Sequence, residues 1–186
     1  MIRYIPRFSR TERTLHWVNA LCFLFLLATG LILYLPSLSV AVGRRPLIKD
    51  MHFWGGISWV SLLALVALLG DRRGLLRDVR ELERFDHDRL NVGQKINAIL
   101  TAAFTILFFA SGMLLWFGER DTRFRFASTV VLHDGLMFVA LALFVGHLYL
   151  AVLHPATRHS LRGMTRGSVR EDWARVHYPE WARRSS

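Results

Sequence analysis

Long apolar segments alternate with short blocks of charged residues along this chain. An α-helix rises 1.5 Å per residue, so about 20 residues are needed to cross a hydrocarbon core roughly 30 Å thick. Four apolar runs reach that length, approximately His16–Leu35, Met51–Gly70, Ile96–Phe117 and Ser128–His154. The pattern predicts an all-α fold, a single integral membrane domain over residues 1–186 that consists of a four-helix transmembrane bundle and ends in a tail at 155–186.

Basic residues are distributed unevenly over the predicted loops. Eighteen of the 24 Lys and Arg residues lie in the N-terminal arm, the loop after the second span and the C-terminal tail, and the other six lie in the two remaining loops. Loops rich in Lys and Arg stay on the cytoplasmic side of a membrane. We therefore expect both termini in the cytoplasm.

Composition narrows the class of protein further. The formal net charge is +10, which in a soluble protein would point to nucleic acid. The four spans leave no soluble domain to carry a basic face, so nucleic-acid binding is excluded. The single cysteine, Cys22, lies in an apolar run and has no mate, which excludes an intrachain disulfide framework and a cysteine-based metal site.

Four histidines lie within the spans at matched depths. With both termini inside, His16 and His147 lie near the inner face of the membrane, and His52 and His133 lie near the outer face. An ionisable side chain in hydrocarbon is costly and needs a partner. Two histidines at each depth therefore predict two pairs.

The spacing of the two histidines on the fourth span indicates what the pairs bind. His133 and His147 are 14 residues apart, which is close to four full turns and an axial rise of about 21 Å. Both imidazoles therefore leave one helix face. Opposed neutral imidazoles suit the two axial positions of a haem iron. We expect an outer haem on His52 and His133, and an inner haem on His16 and His147.

Other functions of these histidines stay open. A transporter or proton channel would use them as a relay, together with Asp134 beside His133. His154, at the membrane edge, is an alternative inner ligand or a proton carrier. A zinc site is disfavoured, because the two pairs are too far apart to share one metal. The remaining histidines are expected to be solvated: His87, His159 and His177.

Four short motifs carry a resemblance to a known family. They are His16-Trp17, HFWGG from His52, NVGQK from Asn91, and the tail LRGMTRGSVREDWARVHYPEW from Leu161. Over nearly its whole length the chain resembles the cytochrome b (gamma) subunit of membrane-bound respiratory formate dehydrogenases. Several di-haem cytochromes b share the four histidines, whereas NVGQK and the tail are more specific.

The resemblance implies a fold, two cofactors and two partner subunits. It implies four transmembrane helices with two b-type haems on the histidine pairs named above, in the bacterial cytoplasmic (inner) membrane. A periplasmic molybdenum- or tungsten-pterin (alpha) subunit oxidises formate, and an iron–sulfur (beta) subunit passes electrons to the outer haem. This chain delivers them from the inner haem to a quinone, menaquinone or ubiquinone, and contributes to the proton-motive force. Formate oxidation itself then requires no catalytic residue in this chain.

The same match implies a quinone pocket at the start of the third span. It places Asn91, Gly93 and Gln94 at that pocket, beside His147. A quinone that accepts two electrons takes up two protons, so its pocket needs hydrogen-bonding groups near water. Asn91 is also suited to cap the third helix, and one residue can do both.

Charged and aromatic residues outside the spans have alternative roles. Arg10 and Arg13 near the inner pair either bind haem propionates or anchor the topology. The outer basic residues bind propionates or an acidic surface of a partner subunit; they are Arg44, Arg45 and Lys49. The aromatic residues of the tail lie on lipid headgroups or contact the membrane anchor of the iron–sulfur subunit; they are Trp173, Tyr178 and Trp181.

Two rival functions share the histidine layout. One is a stand-alone di-haem cytochrome b that exchanges electrons between quinone and a small oxidant such as superoxide. NVGQK and the tail disfavour this reading. The other is the cytochrome b subunit of a hydrogenase or another molybdoenzyme, which has the same mechanism and a different electron donor.

Overall fold

The computed structural model describes residues 2–83 and 88–185, so His87 and Arg84 of the basic loop lie outside the described residues. Of the described residues, 82% are helical. Within the described residues, four helices are long and apolar enough to cross a membrane: Arg10–Tyr34, Arg45–Leu69, Val92–Gly118 and Ala127–Leu153. The predicted all-α membrane fold with four spans is confirmed.

The helices and strands follow in this order along the chain. They are β1 Tyr4–Pro6, α1 Arg10–Tyr34, α2 Pro36–Val42, α3 Arg45–Leu69, α4 Arg72–Leu82, α5 Val92–Gly118, a 3-10 turn Thr122–Phe124, α6 Ala127–Leu148 continued by a π turn Tyr149–Leu153, a 3-10 turn Arg158–Ser160, α7 Leu161–Arg166, β2 Ser168–Arg170, α8 Glu171–His177 and α9 Pro179–Ser185.

The first three spanning helices begin several residues before the apolar runs that predicted them. At α1 the cause is a capping box, in which Glu12 N–H donates to Ser9 Oγ at 3.2 Å and Ser9 N–H donates to Glu12 Oε2 at 2.7 Å. Reciprocal bonds of this kind satisfy amides that have no partner inside the helix. Hydropathy therefore marks the hydrocarbon-embedded part of each helix, whereas the caps mark its true start.

One compact unit comprises residues 17–65 and 102–141 and contains most of the length of α1, α3 and α6 together with the later part of α5. Asn19 Oδ1 on α1 accepts a hydrogen bond from Trp59 Nε1 on α3 at 3.1 Å. Gly55 lets the same two helices approach closely, because a Cβ there would lie 2.6 Å from Phe25 Cε1. The single-domain assignment for residues 1–186 stays a prediction.

The other unit comprises the remaining described residues, with the N-terminal arm, α4, the start of α5 and the C-terminal tail. Its two-stranded antiparallel sheet joins β1 to β2, with Tyr4 opposite Arg170 and Ile5 opposite Val169. Neither strand shows a usable alternation over three residues, which is why the sequence did not predict the pairing.

The tail forms a small hydrophobic core with the N-terminal arm. Its buried members are Ile5, Val169, Trp173, Ala174, Tyr178, Trp181 and Ala182. Of the two alternatives for the tail aromatics, a position on lipid headgroups is wrong, because the exposed fractions of Trp173, Tyr178 and Trp181 are only 9%, 4% and 7%. Burying these rings against β1 and β2 removes more apolar surface from water than an interfacial position would. Contact of the tail with the anchor of an iron–sulfur subunit stays a prediction.

Arg7 holds this core together. Its guanidinium carbon lies 4.1 Å from the centre of the Tyr178 ring. The guanidinium donates to Ser160 Oγ at 2.6 Å and to the Arg89 carbonyl at 2.8 Å. Burial lowers the pKa of Arg7 from its ordinary value, while Tyr178 opposes that shift. The charge is stabilised by aromatic faces and neutral acceptors, a cation–π arrangement that strengthens when water is excluded.

We expect Arg7→Ala to loosen the tail. The substitution empties a site enclosed by aromatic rings and leaves the Arg89 carbonyl without this donor, at a cost of about 2 kcal/mol or more. Hydrogen–deuterium exchange over residues 161–185 should rise strongly in the purified variant.

The matched control is Arg3→Ala, since Arg3 is exposed and forms a surface ion pair with Glu171. Equal exchange in the two variants would contradict the role assigned to Arg7.

Candidate functional site

The structure brings the four predicted histidines together as two pairs. His52 on α3 faces His133 on α6, with 6.2 Å between ring centres and 75° between ring planes. His16 near the start of α1 faces His147 near the end of α6, also with 6.2 Å between ring centres and with 53° between planes. The two histidine pairs that depth and helix phase predicted are therefore the pairs seen in the structure.

Each histidine of the His52–His133 pair lies next to a hydroxyl group of a neighbouring helix. Thr29 Oγ1 on α1 lies 2.8 Å from His52 Nδ1. Ser111 Oγ on α5 lies 2.7 Å from His133 Nδ1. Both hydroxyl-bearing residues are buried, with exposed fractions of 5% and 2%. Neither was predicted from the sequence.

The hydroxyl groups fix which ring nitrogen carries the proton. Thr29 Oγ1 donates to the Phe25 carbonyl at 2.9 Å, and Ser111 Oγ donates to the Leu107 carbonyl at 2.7 Å. A hydroxyl has one proton, and a carbonyl can only accept. Each hydroxyl oxygen therefore accepts from the Nδ1–H of its histidine, which leaves the Nε2 lone pair free to bind a metal.

A glycine follows each of these hydroxyl residues and contacts the same ring. A Cβ on Gly30 would lie 3.4 Å from His52 Cε1, and one on Gly112 would lie 3.6 Å from His133 Cε1. The dipeptides Thr29-Gly30 and Ser111-Gly112 were the available sequence signal, because each sits inside an apolar span. Recognising it requires knowing which helix faces which histidine.

The spacing of both pairs fits a shared iron. A metal–nitrogen bond of about 2 Å and roughly 1.2 Å from nitrogen to ring centre put two axial imidazole centres roughly 6 Å apart. The observed separation is 6.2 Å in each pair. These residues are suited to hold two haem groups.

The residues of the NVGQK motif begin α5. Asn91 Oδ1 accepts from the Gln94 N–H at 2.8 Å, and Gln94 Oε1 accepts from the Asn91 N–H at 3.1 Å. This reciprocal pair is a capping box with Asn in place of Ser or Thr. The capping role expected for Asn91 is confirmed. Gly93 lies between the two and is exposed, while Lys95 is fully buried.

The side-chain amides of Asn91 and Gln94 make further contacts besides the capping box. Asn91 Nδ2 is 3.4 Å from Tyr178 Oη, and that hydroxyl donates to Gln94 Oε1 at 3.3 Å. Arg7 reaches the same oxygen at 3.4 Å. These three bonds are long, and long hydrogen bonds yield readily to a better partner. A polar cluster of Asn91, Gln94 and Tyr178 therefore marks the start of α5.

His154 lies beyond the regular part of the fourth span. The amide of His154 donates to the Tyr149 carbonyl, five residues earlier, because residues 149–153 form a π turn. A π turn adds a residue to the helical repeat and rotates everything after it, so His154 does not keep the helix phase of His147. Its Nδ1 lies 3.3 Å from Thr157 Oγ1.

Three carboxylates surround one guanidinium close to Asn91. Arg89 lies 2.6 Å from Glu12, 2.8 Å from Asp78 and 3.1 Å from Glu81. Burial raises the pKa of Asp78 to about 6; Glu12 and Glu81 add to the shift, and Arg89 opposes it. One cation cannot neutralise three anions, so Asp78 carries a proton more readily than an ordinary aspartate.

Several of the basic residues that were candidates to bind haem propionates form contacts within the protein instead. Lys49 pairs with Glu119 at 2.8 Å. Arg45 donates to the Leu33 carbonyl at 2.8 Å, and Arg13 donates to the Thr165 carbonyl at 3.1 Å. The solvated histidines behave as expected, since His159 and His177 are both exposed.

Comparison with known proteins defines the class. The chain belongs to the prokaryotic cytochrome b561 family, whose sequence model matches residues 7–167. It is therefore a membrane cytochrome b, with haem b as its cofactor and electron transport as its role.

Three relatives of the chain are subunits of one kind of enzyme. The chain is 27% identical to the formate dehydrogenase cytochrome b556(fdo) subunit of Escherichia coli K12, over 96% of this chain and 92% of that one. It is 23% identical to the nitrate-inducible cytochrome b556(Fdn) subunit of the same strain, over 97% and 91%. It is also 23% identical to the formate dehydrogenase cytochrome b556 subunit of Haemophilus influenzae, over 96% and 82%.

The carboxylate cluster predicts a pH dependence of stability. The pKa of Asp78 is higher in the folded chain than in the unfolded one, so the folded state binds the extra proton. The stability linked to this proton is present at low pH and is lost as pH rises through about 6. Asp78→Asn keeps an oxygen acceptor for Arg89 and removes the titrating group. We expect the variant to melt at a higher temperature than the parent at pH 8, and the gain to shrink as pH falls below about 6 and to vanish near pH 4, where the unfolded chain also binds the proton.

Thermal unfolding followed by intrinsic fluorescence at both pH values is the measurement. Asp71→Asn, at an exposed carboxylate on the same stretch, is the control. A gain that is equal at both pH values would contradict the assignment.

Proposed function

We propose that this chain is the cytochrome b subunit of a membrane-bound formate dehydrogenase complex. It carries electrons from a periplasmic iron–sulfur subunit through an outer and an inner haem b to a quinone near the cytoplasmic face. Formate is oxidised by a molybdenum- or tungsten-pterin subunit of the same complex. The observation that carries the proposal is the equal 6.2 Å separation of ring centres in two histidine pairs.

His52 and His133 hold the outer haem, and His16 and His147 hold the inner haem. When bound, each haem supplies one-electron redox chemistry that no side chain of this protein can provide. The protein supplies neutral nitrogen ligands, so the iron is bound without burying an unpaired protein charge. Thr29 and Ser111 orient the outer pair through Nδ1, which raises the basicity of the ligand nitrogens.

The quinone binds at the start of α5, at Asn91, Gly93 and Gln94. Asn91 Oδ1 is committed to the cap, but its Nδ2 makes only a 3.4 Å contact with Tyr178 and is available to a quinone carbonyl. The exposed Gly93 lets a ring approach the backbone. Protons enter from the cytoplasmic side, where both termini lie, so turnover contributes to the proton-motive force.

The similarity to formate dehydrogenase subunits supports formate as the ultimate donor. A hydrogenase or another molybdoenzyme would use the same histidine pairs with a different partner. Affinity purification of the tagged chain from its native membrane, followed by identification of the attached subunits, tests this point. Recovery of a pterin-containing formate dehydrogenase subunit is expected, and recovery of a nickel hydrogenase would overturn it.

Removing one inner ligand should remove one haem. We expect His147→Ala to lower the haem content from about two to about one per chain and to reduce quinone reduction by at least about 100-fold, since His16 alone would hold the inner haem only weakly. The pyridine haemochrome assay and the rate of quinone reduction are the measurements.

His177→Ala is the matched control, because His177 is an exposed histidine of the tail. Two haems retained in His147→Ala would show that the ligand assignment is wrong.

The Thr29 hydroxyl next to His52 should affect the affinity and the midpoint potential of the outer haem. Thr29→Val removes the acceptor for the Nδ1–H and should weaken binding of the outer haem by about 10- to 100-fold. The midpoint potential of the remaining outer haem should become more positive, because a less basic imidazole stabilises the oxidised iron less. Redox titration of the α band is the measurement.

Thr29→Ser, which keeps the hydroxyl, should behave like the parent protein. If the Val and Ser variants have the same potential and haem content, the hydroxyl has no role in orienting the ligand.

A further inference from the structure

A basic pocket lies at the end of the fourth span. Arginines recur at every fourth residue from Arg158 to Arg170, and four of them line a cavity of about 330 Å³ together with His159 and Thr165. That volume is at the lower end of the range for small-ligand sites. Neither the haem pairs nor the start of α5 includes these residues.

The positive charge of the pocket is poorly compensated. Arg170 pairs with Asp172. Among residues 2–83 and 88–185, no carboxylate lies within ion-pair distance of Arg158, Arg162 or Arg166. Three guanidinium groups around one cavity repel each other, and that arrangement is stabilised when an anion enters.

Arg162 is the most constrained of these arginines. Its guanidinium carbon lies 4.0 Å from the centre of the Tyr4 ring. Its Nε is buried and makes no hydrogen bond. The stacking on Tyr4 holds the guanidinium at the wall of the cavity, where its charge adds to that of the other arginines.

The pocket is fixed next to the membrane. The π turn ends the fourth span at Leu153, and Arg158 follows five residues later. The connecting loop is tied down, because Trp173 Nε1 donates to the Ala156 carbonyl at 2.9 Å. A cavity this close to the end of a span lies at the depth of lipid headgroups.

We propose that this pocket binds a phosphate ester anion, the chemistry shared by an anionic phospholipid headgroup and free phosphate. Arginine forks match phosphate oxygens in two-point hydrogen bonds. The pocket supplies several guanidinium groups without carboxylate partners among the described residues, at headgroup depth. This proposal does not depend on the haem assignment.

Calorimetric titration of the purified, delipidated full chain tests the proposal. The probes are dioleoyl phosphatidylglycerol and dioleoyl phosphatidylcholine in mixed micelles, and inorganic phosphate. The pocket variant is Arg158→Gln with Arg166→Gln, at two exposed positions where folding should be retained. The control variant is Arg73→Gln with Arg80→Gln, which removes the same charge from exposed positions on α4.

Phosphatidylglycerol should bind the parent in a saturable manner and more tightly than phosphatidylcholine. The pocket variant should lose about tenfold or more in affinity, and the control variant should stay within about twofold of the parent. The same loss with inorganic phosphate alone supports phosphate recognition and identifies the soluble anion as the source. Equal losses in both variants, or no loss in the pocket variant, would overturn the proposal. The haem spectrum of each variant reports whether the spans are intact.

Discussion

An imidazole inside hydrocarbon must satisfy both ring nitrogens without carrying charge, and the structure of the spans depends on that constraint. An unpaired polar group in such a medium costs several kcal/mol. His52 and His133 each turn Nδ1 to a hydroxyl of a neighbouring helix, and their rings face each other with 6.2 Å between centres. The hydroxyls in turn donate to their own helices. Within that unit, one hydrogen bond therefore fixes the rotation of α3 relative to α1, and a second fixes that of α6 relative to α5.

The other unit depends on a buried cation. Arg7 is surrounded by aromatic rings and bonded to neutral acceptors, and its partners belong to the tail, to the loop before α5 and to α5 itself. The same arginine thus contacts Gln94, which caps α5 and belongs to the proposed quinone pocket. Asn91 can both cap α5 and bind a quinone, because its Oδ1 accepts the capping hydrogen bond and its Nδ2 is left to donate to another group.

The histidine pairs were predictable because they follow from local rules. Hydropathy locates each span, successive spans run in opposite directions, and helix phase places His133 and His147 on one face. The hydroxyls of Thr29 and Ser111 were not predictable in this way. A threonine inside an apolar helix usually bonds to its own backbone, and these two residues also do so. Only the position of the facing helix gives them a second role.

The sequence by itself determined the number of spans, the two depths of histidine and the cap on α5, because each rests on residues near one another in the chain. Tertiary structure decided the rest. It pairs Tyr4 with Arg170 in a sheet. It buries the aromatic residues of a tail whose many charges suggest a solvated segment. A π turn takes His154 out of the helix phase of His147. Those outcomes depend on partners that are distant in sequence, or on a helix irregularity that composition does not encode, so no local pattern contains them.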